Sequence, residues 1–268
     1  MLHRVLRLRF HAYPTYPPLR SGTSTVNLIN LANPRLLGLT RALGPVTLRI
    51  GGSLDNKVKY YVGNMTREEC EAPVSFRDEL WPNLCLNMSR WEDVLNFVGV
   101  SLAPGSQLVF GVQLSVDAAG WNSTNVLDFL NATSLMAGNR VLAGIEVGEE
   151  TNPAPGTADF SSLVDAYKGV KAAVDTFWPN ASGARPAIHG PCSGMNENVV
   201  PFTWSTAFVN AVGDALDVYT MHSYNNDGGN SWKVPGFLNQ TAVQAAAIRG
   251  MLDTVSPSTK PLPLSCGE

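Results

Sequence analysis

Two acidic sites stand at the ends of apolar runs far apart in the chain. Leu142-Ala143-Gly144-Ile145-Glu146-Val147-Gly148 leads into Glu149-Glu150, and Pro261-Leu262-Pro263-Leu264-Ser265-Cys266 leads into Gly267-Glu268. An apolar run that ends in a carboxylate is how a barrel strand presents an acid at its C-terminal mouth. Two such carboxylates are the minimum equipment for cleaving a glycosidic bond. Other polar residues gather at the ends of similar runs. Arg49 lies within Val46–Ile50, and Ser53 follows Gly51-Gly52. His222, Tyr224 and Asn225 close the run that starts at Leu216. Arg49 is the most informative of these, because a buried guanidinium needs an anionic partner and a strand-end carboxylate would supply one. Each has a plainer reading: Glu149-Glu150-Thr151-Asn152 as a solvated loop, and His222 as a packed, hydrogen-bonded histidine.

The elements that must position these groups alternate. Strands are expected at Val46–Ile50, Gln107–Leu114, Ala143–Gly148, Arg185–Gly190, Leu216–His222 and Leu262–Cys266, with a seventh at Val5–Phe10. Their near-continuous apolar character suits parallel strands covered on both faces. Helical patterns fall between them, over Pro34–Leu43, Trp91–Val98, Thr124–Met136, Ser161–Phe177 and Thr241–Val255, the last with Thr241 as N-cap. Repeated strand–helix units imply a parallel sheet, and this number of units implies most of a (β/α)8 TIM-type barrel in the α/β class.

The chain has 268 residues, 44% hydrophobic and 15% charged, enough for one large domain with a real core. A formal net charge of −3 gives no footprint for nucleic acid. No apolar run reaches the roughly 18–20 residues that span a bilayer. The N-terminal stretch carries Arg4, Arg7 and Arg9 where a signal peptide needs an unbroken apolar region. The sequons point the other way. Asn64, Asn87, Asn122, Asn131, Asn180 and Asn239 each head an Asn-x-Ser/Thr triplet, and together they favour a secretory-pathway protein. The four cysteines, Cys70, Cys85, Cys192 and Cys266, match no zinc spacing. Cys70 and Cys85 flank a loop-like stretch and are either a disulfide or, like the others, buried thiols.

Read in order, short segments resemble the heparanase-like glycosidases of glycoside hydrolase family 79, the plant members most closely. Leu48-Arg49-Ile50-Gly51-Gly52-Ser53-Leu54-Asp55 is similar to the family's LRIGGSLQD. Cys85 to Asp93 resembles GCLPMKRWDEL, and Trp121 to Asn125 resembles WDSSNA. Ile145 to Glu150 resembles WELGNEL, His222 to Asn225 resembles HIYN, and Leu264 to Glu268 resembles WVGE. Any one match is weak; the ordered set, from about residue 25 to 268, is specific.

The resemblance implies a retaining β-glucuronidase with Glu150 as general acid/base and Glu268 as nucleophile, on the fourth and seventh strands of a full barrel. Their carboxyls would stand about 5–5.5 Å apart. It further implies that Arg49 holds Glu268 ionised, that His222 and Tyr224 shape the sugar subsite, and that Ser53 and Glu149 border it. The substrate would be a glucuronide-containing glycan, with no metal or cofactor. The location would be extracellular or secretory, in cell wall, lysosome or vacuole, with membrane association. Residues 1–24 form an N-terminal segment of unassigned role, and residues 25–268 an incomplete barrel without the final strand, helix and C-terminal β-sandwich. One departure stands out: Glu149 replaces the family's Asn beside the acid/base. It brings an extra charge next to Glu150 and favours, as the alternative, a non-catalytic carbohydrate-binding or structural relative.

Overall fold

The computed structural model describes residues 4–9, 29–52, 55–76, 79–81, 84–117, 120–153, 155–179, 185–194, 202–222, 240–255 and 261–266. Seven strands form one sheet: β1 (Arg4–Arg9), β2 (Val46–Gly51), β3 (Gln107–Val112), β4 (Leu142–Val147), β5 (Ala187–Gly194), β6 (Val218–His222) and β7 (Leu264–Cys266). They lie in chain order and every neighbouring pair is parallel. A helix precedes each strand after β1: α1 (Pro34–Ala42), α2 (Met88–Asn96), α3 (Thr124–Ser134), α4 (Ala158–Phe177), α5 (Phe202–Val212) and α6 (Gln240–Val255). This is the expected incomplete (β/α)8 barrel, with β1 and β7 at opposite edges of the sheet among the described residues. The expected strands are present with ends shifted by up to four residues. Helix α5 lies in a stretch where no helix was expected. Thr241 falls inside α6 rather than at its cap.

Register shows how the sequence splits the sheet into two chemically different faces. Ile50, Phe110, Ile145 and Ile188 are successive partners across β2 to β5. They are fully or almost fully buried and belong to the main apolar core. That core continues into an aromatic cluster that joins the sheet to the helices. The ring centroids of Trp91 and Phe110 are 4.5 Å apart, and those of Tyr60 and Phe129 4.1 Å. Burying such rings supplies much of the driving force for docking the α2 and α3 region on the sheet.

The opposite face is polar. Gly111, Glu146 and His189 are partners in one row, and Arg49 pairs with Val109 two residues earlier. Side chains alternate across a strand, so Arg49 and Glu146 share the face turned away from Ile50 and Ile145. Glycines make the space. A Cβ at Gly144 would lie 2.5 Å from His189 Nε2, and one at Gly111 would lie 1.9 Å from Asp55 Oδ2. Both positions therefore exclude any larger residue while those side chains stay in place.

Outside the sheet, Cys70 and Cys85 form a disulfide across a sequence separation of 15. It ties the short helix Arg67–Glu71 to the strand Cys85–Asn87, which pairs in parallel with Lys59–Tyr61.

Candidate active site

Strand β4 ends at Val147, and its last buried carboxylate, Glu146, meets Arg49 of β2 at 2.6 Å. The chain then turns sharply. Gly148 has φ +71°, and Glu150 has φ +47°, a left-handed backbone that a residue with a Cβ rarely adopts. The turn sets two consecutive carboxylates at different depths beside His222, whose Nδ1 lies 3.9 Å from Glu149 Oε1 and 2.9 Å from Glu150 Oε1. Glu149 points inward, its side chain 2% exposed, with Oε2 2.9 Å from Arg49 Nη2. Glu150 points to the mouth, its side chain 35% exposed, with Oε1 2.9 Å from His222 Nδ1. The Glu150 N–H donates to the carbonyl of Cys192, itself at φ +55°. Backbone conformations of this kind are held only where the surroundings enforce them, and they concentrate at functional sites.

Arg49 is the centre of the buried charge. Besides Glu146 and Glu149 it donates to Cys192 Sγ at 3.2 Å. Burial works to lower its pKa, but Cys192, Glu146, Glu149 and Asp55 outweigh it, so the guanidinium stays charged. Burial likewise pushes Glu146 up, and Arg49, Cys192 and His222 more than offset it, leaving this carboxyl below its ordinary range. At Asp55 the compensation falls short. It is fully buried, and neither of its carboxylate oxygens makes a well-formed hydrogen bond among the described residues. Burial, then Glu149, push it well above the ordinary carboxylate range, against Arg49 and the Gly52 N–H. Burial also raises the Cys192 thiol, which therefore stays protonated. His189 is lowered by burial.

Two trios have donor atoms within 4.8 Å of one another: Glu146, Cys192 and His222, and Glu149, Glu150 and His222. Their atom types would suit zinc. The fold uses them otherwise. A guanidinium already serves as counter-ion to the first trio, and in the second the 2.9 Å Nδ1–Oε1 spacing is that of a direct hydrogen bond. Beside the mouth, past the end of β3, a cavity of about 250 Å³ is lined by Gln113, Ser115, Asn122, Asn125, Lys59 and Glu69 among others. Amides and hydroxyls of this kind can exchange hydrogen bonds with sugar hydroxyls.

A family model described as "Glycosyl hydrolase family 79, N-terminal domain" matches residues 16–262. The chain belongs to this family. It is 29% identical over 223 residues to heparanase-like protein 1 of Arabidopsis thaliana, and 30% over 228 residues to heparanase-like protein 2. These alignments cover 78% and 79% of the chain but 39% of each relative, so the chain spans about two fifths of their length. Heparanase-like protein 3 of the same plant is 25% identical over 87% of the chain and 45% of its own length. Among solved structures, a family 51 α-L-arabinofuranosidase from Bifidobacterium longum superposes with a TM-score of 0.55 at 15% identity. That match covers 86% of this chain and 47% of the other. At that identity the likeness speaks for the fold alone: a barrel of strand–helix units.

The family 79 chain thus brings Arg49, Glu149, Glu150 and His222 into one cluster. Ser53, Tyr224, Asn225 and Glu268 lie outside the described residues. Arg49 does find strand-end carboxylates, Glu146 and Glu149; its expected pairing with Glu268 involves a residue outside the described ones. Glu146, Asp55, Asn56 and Cys192 were not singled out from sequence. Glu146 could have been, since a carboxylate inside an apolar strand carries the same signal as Arg49 does.

Proposed function

We propose that this glycoside hydrolase-like chain is a retaining glycosidase that cleaves glucuronide linkages in a glycan. One observation supports the reading above others. At the end of β4, in a family 79 chain, the carboxylate of Glu150 is open to the mouth and touches the His222 imidazole at 2.9 Å. Glu150 would protonate the leaving oxygen while Glu268 attacks the anomeric carbon, and would then activate the water that frees the sugar. His222 fixes the Glu150 carboxylate. Arg49 pairs with both acids beneath it and offsets part of their charge. Six sequons and the Cys70–Cys85 disulfide support an oxidising, secretory location.

The alternative is a non-catalytic glycan-binding relative, favoured by Glu149 standing where the family pattern has Asn. Hydrolysis of a chromogenic aryl β-glucuronide by the wild type, set beside Glu150→Gln, separates the two. Activity that disappears in Glu150→Gln supports the enzyme. Folded, inactive protein in both cases supports the binder.

A further inference from the structure

Asn56 sits in the turn Asp55–Lys57 that follows β2, and its amide is fully engaged across the sheet end. Nδ2 donates to the carbonyl of Glu149 at 3.0 Å and to Thr151 Oγ1 at 3.3 Å. Oδ1 accepts from the N–H of Glu149 and from the N–H of Leu114, both at 3.3 Å. One side chain therefore satisfies both backbone groups of the residue preceding Glu150, and joins them to the loop after β3. The fit is tight. A Cβ at Gly148 would lie 2.9 Å from Leu114 Cβ and 3.2 Å from Asn56 Oδ1. The turn bearing Asn56 is anchored in its own right: Asp55 is fully buried beside Gly111, and its N–H donates to the Gly52 carbonyl at 2.8 Å.

We propose that Asn56 is the positioning residue for Glu150, a strut that sets the left-handed turn carrying the acid/base. The inference rests on the glycosidase reading for its kinetic part only. Three consecutive residues of the turn are each tied down: Gly148 N–H to the Val112 carbonyl at 2.9 Å, Glu149 to Asn56, and Glu150 N–H to the Cys192 carbonyl at 3.2 Å. Of these three backbone ties, the middle one is made by a side chain and can be removed by substitution. A primary amide is needed, because the strut both donates and accepts. Aspartate keeps the acceptor, loses the donors and sets a charge against the Glu149 carbonyl. A protonated aspartate regains one donor.

The test compares wild type, Asn56→Ala and Asn56→Asp as the full chain. Amide exchange followed by NMR reads the strut without reference to activity. In Asn56→Ala the Glu149 and Leu114 amides should exchange roughly tenfold faster or more, while Ile145 and Phe110 stay near wild type. Kinetics on the aryl β-glucuronide read its consequence. In Asn56→Ala, kcat should fall roughly 10- to 100-fold with KM little changed, as misplacement of a reacting group predicts. In Asn56→Asp, kcat relative to wild type should recover as pH falls toward the ordinary aspartate range. Unchanged exchange at Glu149 and Leu114 would overturn the strut. A raised KM at constant kcat would overturn it too, since that pattern marks a direct sugar contact. If the wild type hydrolyses nothing, the glycosidase reading fails separately and the exchange rates alone decide the strut.

Discussion

Arg49 Nη2 lies 2.9 Å from Glu149 Oε2, deep beneath the mouth, although Glu149 is the immediate neighbour of the exposed Glu150. Two adjacent glutamates therefore have separate work. The first neutralises a buried cation together with Glu146. The second is open to the mouth and meets His222.

Breaking the buried ion cluster should be costly. Arg49→Met leaves Glu146 and Glu149 buried without their cation. Removing one partner of such a set typically destabilises by about 3–5 kcal/mol. Urea unfolding should show a loss of that size; a loss under about 1 kcal/mol would mean that the cluster is solvated or already protonated.

The two adjacent glutamates should separate by assay. Glu150→Gln removes a group that is partly exposed, so the unfolding midpoint should hardly move. Its aryl-glucuronidase activity should fall by about 10²–10⁴-fold, the usual worth of a general acid/base. Glu149→Ala strips a buried hydrogen-bonded charge from Arg49 and should destabilise by about 1–3 kcal/mol. Equal effects of the two changes on the unfolding midpoint would contradict the inward and outward division.

Asp55 and Glu146 should give stability opposite pH slopes. Asp55 is raised in the folded state, so the native protein holds a proton that the unfolded chain has released. Its contribution is intact below the unfolded pKa of about 3.9 and declines as pH rises above it. Asp55→Asn mimics the protonated side chain and should match wild type near pH 4, then become progressively more stable than wild type toward pH 7. Glu146 is lowered, so its contribution is present above the unfolded pKa of about 4.3 and is lost as pH falls through the folded value. Glu146→Gln should therefore lose more stability at pH 7 than at acid pH. Parallel melting curves for Asp55→Asn and wild type across pH 4–7 would show that Asp55 titrates normally.

The Cys70–Cys85 bridge closes a loop of about 15 residues, for which chain entropy predicts about 3 kcal/mol. Denaturation with and without reductant, compared with Cys70→Ser/Cys85→Ser, measures it. No change on reduction would show that the bridge does not form in solution.

The order of apolar strands and amphipathic helices was legible without coordinates, because burial on both faces of a parallel sheet leaves continuous apolar runs such as Val46–Ile50 and Ala143–Val147. So was the position of Glu150, since strand-end acids are what a barrel mouth displays. Helix α5 was not expected because Phe202 to Val212 carries no charged residue to mark a solvent face, and its few polar residues are Ser, Thr and Asn. The pairing within the site was not legible either. Sequence placed a buried arginine in need of an anion, and left open which carboxylate would answer. Register supplies Glu146, by setting it opposite Gly111 and leaving the glycine's empty space to Asp55. Nor could composition say that Glu149 turns in and Glu150 out. That depends on two left-handed residues, Gly148 and Glu150, and on an asparagine more than ninety positions away whose amide reaches both sides of the turn. Local sequence determines which elements form, because propensity and periodicity act over a few residues. Which charges meet is decided only when distant strands fall into register and burial makes every unpaired group expensive.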